Sequence, residues 1–239
     1  KAAAEVQQKS LYQLVAGKEL KTIPLPTANS IIGGKYPDQK VCFQEFTFCP
    51  YRAKDITEAM EIIYHVHHMI GEIFSREMGG QPALIGNSHG WQPPTEDPEV
   101  IMELLEEAVD NCGYRDKVAY ALDMAATEMY DKETNTYYLN GSQVTPEEQI
   151  EYVRKLTERF PFLFVEDVLQ ENDWKGFAEA SKKLTRTILI GDDLTITNPG
   201  LLKKAYEESA VQGFIFKPNQ VGTITEAIEA RNYAKEHHM

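Results

Sequence analysis

Four apolar runs in this chain end on residues that can do chemistry. Val118-Ala119-Tyr120-Ala121-Leu122 stops at Asp123. Phe162-Leu163-Phe164-Val165 stops at Glu166 and Asp167, and Thr187-Ile188-Leu189-Ile190-Gly191 at Asp192 and Asp193. Gly213-Phe214-Ile215-Phe216 stops at Lys217. Short continuous apolar runs of this kind read as buried parallel strands. In a (β/α) barrel such strands converge on one face, where their carboxyl ends carry the chemistry. Carboxylates from Asp123, Glu166 and Asp192 gathered at one point repel unless a divalent cation neutralises them. Hard oxygen ligands of this type suit Mg²⁺. A lysine beside such a site, Lys217, reads as a general base that removes a proton next to a metal-held carboxylate. A nearby divalent cation lowers a lysine pKa and so favours the neutral base.

The elements that must position these residues follow an order. Ala2 to Ala16 reads as a helix ended by Gly17. Ile23 to Ile32 and Val41 to Phe48 read as extended runs joined by a turn-rich link with Gly33, Gly34, Pro37 and Asp38, hence an antiparallel pair. Asp55 to Phe74 is a helix with Ile56, Met60, Ile63, Val66 and Ile70 at helical spacing. After a loop from Gly79 to Asp97, Pro98 to Cys112 is a second helix. Four βα units then follow, with helices near Thr145–Phe160, Asp173–Lys183, Pro199–Ser209 and Thr223–His237. Thr145 before Pro146-Glu147-Glu148, and Asn198 before Pro199, are good helix starts. The fold class is therefore α/β, of order ββαα(βα)n. Gln44 and Glu45 fall inside the second extended run, where a carboxylate must be paired or face a polar site.

Leu122-Asp123-Met124-Ala125-Ala126-Thr127-Glu128, Val165-Glu166-Asp167 with Asp173-Trp174, Gly191-Asp192-Asp193-Leu194-Thr195-Ile196-Thr197-Asn198-Pro199 and Phe216-Lys217-Pro218-Asn219-Gln220-Val221-Gly222 occur in that order. Together they resemble the catalytic barrel domain of the enolase family, and the likeness runs through residues 1–239. It implies a barrel of ββαα(βα)n order of which this chain supplies six of eight strands. It also implies Mg²⁺-dependent dehydration of 2-phosphoglycerate to phosphoenolpyruvate. Asp123, Glu166 and Asp192 would be the metal ligands, Lys217 the base, and Gln44 and Glu45 the substrate contacts that order the leaving hydroxyl. A phosphorylated acid substrate, a cytoplasmic location and a homo-oligomer come with the resemblance.

Two stretches depart from the family. Gly86-Asn87-Ser88-His89-Gly90-Trp91-Gln92-Pro93 stands where enolases have Gly-Asp-Glu-Gly-Gly-Phe-Ala-Pro, so Ser88 replaces the glutamate that helps protonate the leaving hydroxide. His89 could take that role or lie in solvent. Tyr36 stands where the family has a substrate-facing histidine. The family's later His-Arg-Ser and lysine, which bind phosphate and carboxylate, have no counterpart in this chain, so weak substrate affinity and little turnover are expected of it. Two other readings stay open: abstraction of an alpha proton from a different acid, or a metal- or partner-binding protein without turnover. His65 and His68, at i, i+3 spacing, are expected to pack and not to bind metal.

The bulk numbers narrow the classes. A chain of 239 residues can bury a sizeable core as one barrel domain. A net charge of −13 argues against nucleic acid or an anionic membrane as partner. Three cysteines without a CxxC pair suggest free thiols.

Overall fold

The computed structural model describes residues 1–17, 20–34, 41–86 and 88–239. The expected link at 35–40, including Tyr36, Pro37 and Asp38, lies outside the described residues, as does Asn87. Six strands form one sheet: β1 (Ala28–Ile32), β2 (Glu45–Cys49), β3 (Ala119–Asp123), β7 (Phe162–Glu166), β8 (Ile188–Gly191) and β9 (Gly213–Phe214). They pair in that order. β1 with β2 and β2 with β3 are antiparallel; β3 with β7, β7 with β8 and β8 with β9 are parallel. Among the described residues the sheet is open, so this is the expected α/β order with six strands and an unclosed barrel. The outer edge of β1 is covered: Ile32 N–H donates to the Trp91 carbonyl at 3.0 Å, and Trp91 N–H donates to that of Ser30 at 2.8 Å.

The helices are α1 (Ala2–Val6), α2 (Leu11–Ala16), α3 (Ile56–Glu77), α4 (Pro98–Asn111), α5 (Pro146–Arg159), α6 (Trp174–Lys183), α7 (Pro199–Glu207), α8 (Pro218–Val221) and α9 (Ile224–Glu236). The expected starts hold. Thr145 Oγ1 accepts from Glu148 N, and Asn198 Oδ1 accepts from Gly200 N and Leu201 N. Two expectations need correction, and one stretch adds an element. The N-terminal helix is two helices, because Gln13 Oε1 accepts the Ser10 N–H and starts a new one, with Gln8 at φ 51° between them. The buried stripe of α3 is Ala59, Ile62, Val66, Ile70 and Ile73, while Ile56 and Met60 are exposed. Its long apolar surface contains two overlapping helical rows, and spacing alone does not say which faces the core. The stretch between β3 and α5, for which no element was expected, is a three-stranded meander of β4 (Tyr130–Asp131), β5 (Thr136–Leu139) and β6 (Ser142–Val144).

Trp91 also clamps α3, since its Nε1–H donates to the His67 carbonyl at 2.7 Å. A Cβ on Gly71 would sit 2.5 Å from Trp91 Cζ2. Alanine in a helix interior normally gains about 1 kcal/mol over glycine. Here the indole is pinned by its hydrogen bond, so overpacking prevails. Gly71→Ala is expected to destabilise by about 1–3 kcal/mol in urea unfolding. A rise in the midpoint would show that the ring moves aside freely.

Candidate active site

β2 runs against its neighbours, so its first residue lies at the carboxyl edge of the parallel strands. The register sets Glu45 beside Asp123 and Asp123 beside Glu166, a row across three strands. Glu166 is in turn level with Ile190, two residues before Asp192, and Gly191 is level with Phe214, three residues before Lys217. Pairing in β2 begins only at Glu45, so Gln44 and Glu45 sit at its entry and not in its middle. The Gln44 carbonyl accepts from Gly33 N at 2.8 Å.

At that edge Gln44 Nε2 donates to Asp123 Oδ2 at 3.0 Å. Asp123 Oδ1 accepts from Ala125 N at 2.9 Å. Lys217 Nζ donates to Asp192 Oδ2. Glu166, Asp167 and Asp192 each offer an oxygen within 4.8 Å of the others, and all three are buried. Asp123 stands outside that closest trio, yet its charge acts on Glu166.

The electrostatics follow from crowding. Burial, then the carboxylates of Glu45, Asp192 and Asp193, pushes the Asp123 carboxyl well above its usual range, although the Ala125 N–H pulls it down. Burial, then Asp123, Asp167 and Asp192, does the same to Glu166. Asp167 is pushed up to about 8 by burial, against the N–H groups it accepts. For Lys217 burial favours the neutral form, but the hydrogen bond and charge of Asp192 outweigh it, and its pKa is raised. That differs from the expectation for a lysine beside a bound metal. With protein groups alone, Asp192 is its counter-ion.

The donor set fits a hard divalent cation. Asp192 Oδ1 is buried and has no hydrogen-bond partner. A buried carboxylate oxygen left in that state is costly unless a cation or water meets it. Carboxylates from three adjacent strands converge beside it, and Lys217 alone cannot balance them.

Sequence reasoning missed what holds these groups in place. Thr197, at φ 56°, accepts the Lys217 N–H at 2.8 Å and donates to the Ile215 carbonyl at 3.1 Å, fixing the strand end that bears the lysine. Tyr137 Oη on the meander accepts from Gln170 N at 2.9 Å, and Thr127 Oγ1 accepts from Glu171 N at 3.0 Å. Both bracket the loop that follows Glu166. The Asn140-Gly141 pair was the available sign of that meander, since Asn-Gly favours tight hairpins.

The glycine-rich loop folds back on β1. Asn29 Nδ2 donates to Ser88 Oγ at 2.9 Å, and His67 Nε2–H donates to the His89 carbonyl at 3.2 Å. His89 is exposed at φ 66°. On α3, His65 Nδ1 meets Tyr114 Oη and His68 Nδ1 meets the Tyr64 carbonyl. The two rings turn to different partners.

The family described as "Enolase, C-terminal TIM barrel domain" matches residues 20–239. The chain belongs to the enolase family. An enolase of Methanococcus aeolicus is 34% identical over 234 residues, covering 98% of this chain and 55% of that protein. An enolase of Methanopyrus kandleri is 34% identical, covering 99% and 56%. An enolase of Methanocaldococcus jannaschii is 35% identical, covering 98% and 55%. The chain thus spans about half the length of the curated enolases it matches. Among its described helices none is long and apolar enough to cross a membrane.

Proposed function

We propose that this edge is an enolase-type lyase site that dehydrates 2-phosphoglycerate to phosphoenolpyruvate with Mg²⁺. The observation that carries the reading is the buried, partnerless Oδ1 of Asp192 beside Lys217, in a frame that belongs to the enolase family. Asp123, Glu166 and Asp192 would hold the ion. Bound Mg²⁺ would supply positive charge for the three carboxylates and for the substrate carboxylate as its alpha proton leaves. Lys217 takes that proton, and for this Asp192 must release it, because a lysine paired to a carboxylate stays charged. Glu45, level with Asp123, and Gln44, already bonded to it, are placed to orient the hydroxyl that departs. Family membership is the support for a phosphorylated acid substrate, a glycolytic role in the cytoplasm, a homo-oligomeric assembly and one barrel domain over 1–239.

Ser88 favours a second reading. Its hydroxyl is a poor acid and is held by Asn29. Proton abstraction can then outrun elimination, and the natural substrate is a carboxylate that loses its alpha proton without losing hydroxide. Incubation with 2-phosphoglycerate and Mg²⁺ in heavy water separates the two. The lyase reading expects phosphoenolpyruvate together with deuterium exchange at C2. Exchange alone supports the second reading, and neither product removes both. Ser88→Glu restores the family's acid and is expected to raise elimination relative to exchange by about 10²-fold or more. An unchanged ratio would show that position 88 does not serve as the acid.

A further inference from the structure

Asp167 follows Glu166 out of β7 in the left-handed region, at φ 46°, and is 3% exposed. Its N–H donates to the Ile190 carbonyl of β8 at 3.2 Å. Its carbonyl accepts from Ala126 N at 3.1 Å, just past Asp123 on β3. Its carboxylate accepts from Asp192 N, at 3.1 Å to Oδ1 and 3.2 Å to Oδ2, and from Asp193 N at 2.8 Å to Oδ2. One residue therefore ties the exits of the three strands that carry Asp123, Glu166 and Asp192. A left-handed conformation costs a non-glycine residue energy, and it persists where surrounding bonds fix it.

By proximity alone Asp167 would count as a metal ligand with Glu166 and Asp192. Its carboxylate, however, holds the two successive peptide N–H groups of Asp192 and Asp193, whereas Asp123 accepts one peptide N–H and Asp192 Oδ1 accepts none. We propose that Asp167 is a positioning residue and not a ligand: its carboxylate grips the peptide groups of Asp192 and Asp193 and so aims the Asp192 carboxylate into the metal site. The metal half of this proposal rests on the functional reading above. The grip itself does not.

The test uses Mn²⁺ as probe with Asp167→Asn, which keeps the size of the side chain and one acceptor oxygen. The expected result is a 10- to 100-fold loss of Mn²⁺ affinity, in the range of other outer-shell partners. The bound ion should relax as many water protons as in the parent protein, because no coordination position opens. A larger water relaxation on the variant would make Asp167 a ligand and overturn the proposal, and so would an unchanged affinity. Amide hydrogen exchange on the parent protein needs no variant. Asp192 and Asp193 N–H should be protected like neighbouring strand amides, and fast exchange at both would remove the grip. If the parent binds no Mn²⁺, the functional reading fails, while the exchange result still decides whether the grip exists.

Discussion

Lys217→Ala should lower exchange of the C2 proton of 2-phosphoglycerate with heavy water by about 10²- to 10⁴-fold, the usual contribution of a positioned general base. The lysine stands three residues past the point where β9 pairs with β8, and its N–H is fixed by Thr197. A group so held, aimed at the carboxylate edge, is expected to act in the step that breaks the C–H bond. Metal binding should respond differently. Lys217 Nζ competes for Asp192 Oδ2, so its removal frees that oxygen, and Mn²⁺ should bind the variant at least as tightly as the parent. Loss of exchange with retained metal is the signature of a missing base. Equal loss of both would show that the lysine only props the site. Exchange that survives in the variant would assign the base elsewhere.

Without divalent cations the protein should lose stability as pH rises from about 6.5 to 9, and Mg²⁺ should reverse that loss. Asp123, Glu166 and Asp167 all have carboxyl pKa values raised on folding, first by burial and then by one another, with Asp167 at about 8. A group whose pKa is higher when folded stabilises the fold fully below its unfolded value, near 4. The contribution is lost as pH climbs through the folded value. His67, whose pKa burial lowers, acts in the opposite sense below its ordinary value of 6.5, which sets the lower end of the window. The three carboxyls together involve several kcal/mol, or on the order of 10 °C in Tm for a domain of this size. A cation that takes the place of the protons should bind more strongly, and stabilise more, at the alkaline end. Melting curves in EDTA and in Mg²⁺ at pH 6.5 and 9 decide it. A flat profile in EDTA would mean that the carboxylates are solvated and do not crowd.

How much of this was legible in the chain depended on distance along it. Asp123, Glu166, Asp192 and Lys217 stand out because each breaks an apolar run, and one parallel sheet brings such breaks to one edge. Glu45 was legible as an unexpected charge, but its place at the entry of a reversed strand needed the register. Asp167 could not be read as a grip, since its partners are peptide N–H groups of Asp192 and Asp193, which no side-chain pattern encodes. Thr197 was hidden in the same way, because its hydroxyl serves the backbone of Lys217. On α3 the chain offered two apolar rows, and only the sheet and Trp91 select between them. The meander from Tyr130 to Val144 is built from strands of two to four residues, too short for alternation to show.

The reversed direction of β2 also bears on how the molecule could be altered. A strand that gives its first residues to the site sends its last ones to the opposite rim. There, Arg52 N–H donates to the Lys117 carbonyl just ahead of β3. The bend from Pro50 to Lys54 is thus a loop whose sequence neighbours are catalytic candidates but whose location is remote from them. A fluorophore attached in that bend, or a few residues spliced into it, would report on the barrel while leaving the reacting edge untouched. The same graft after β3, β7 or β8 would land among the carboxylates.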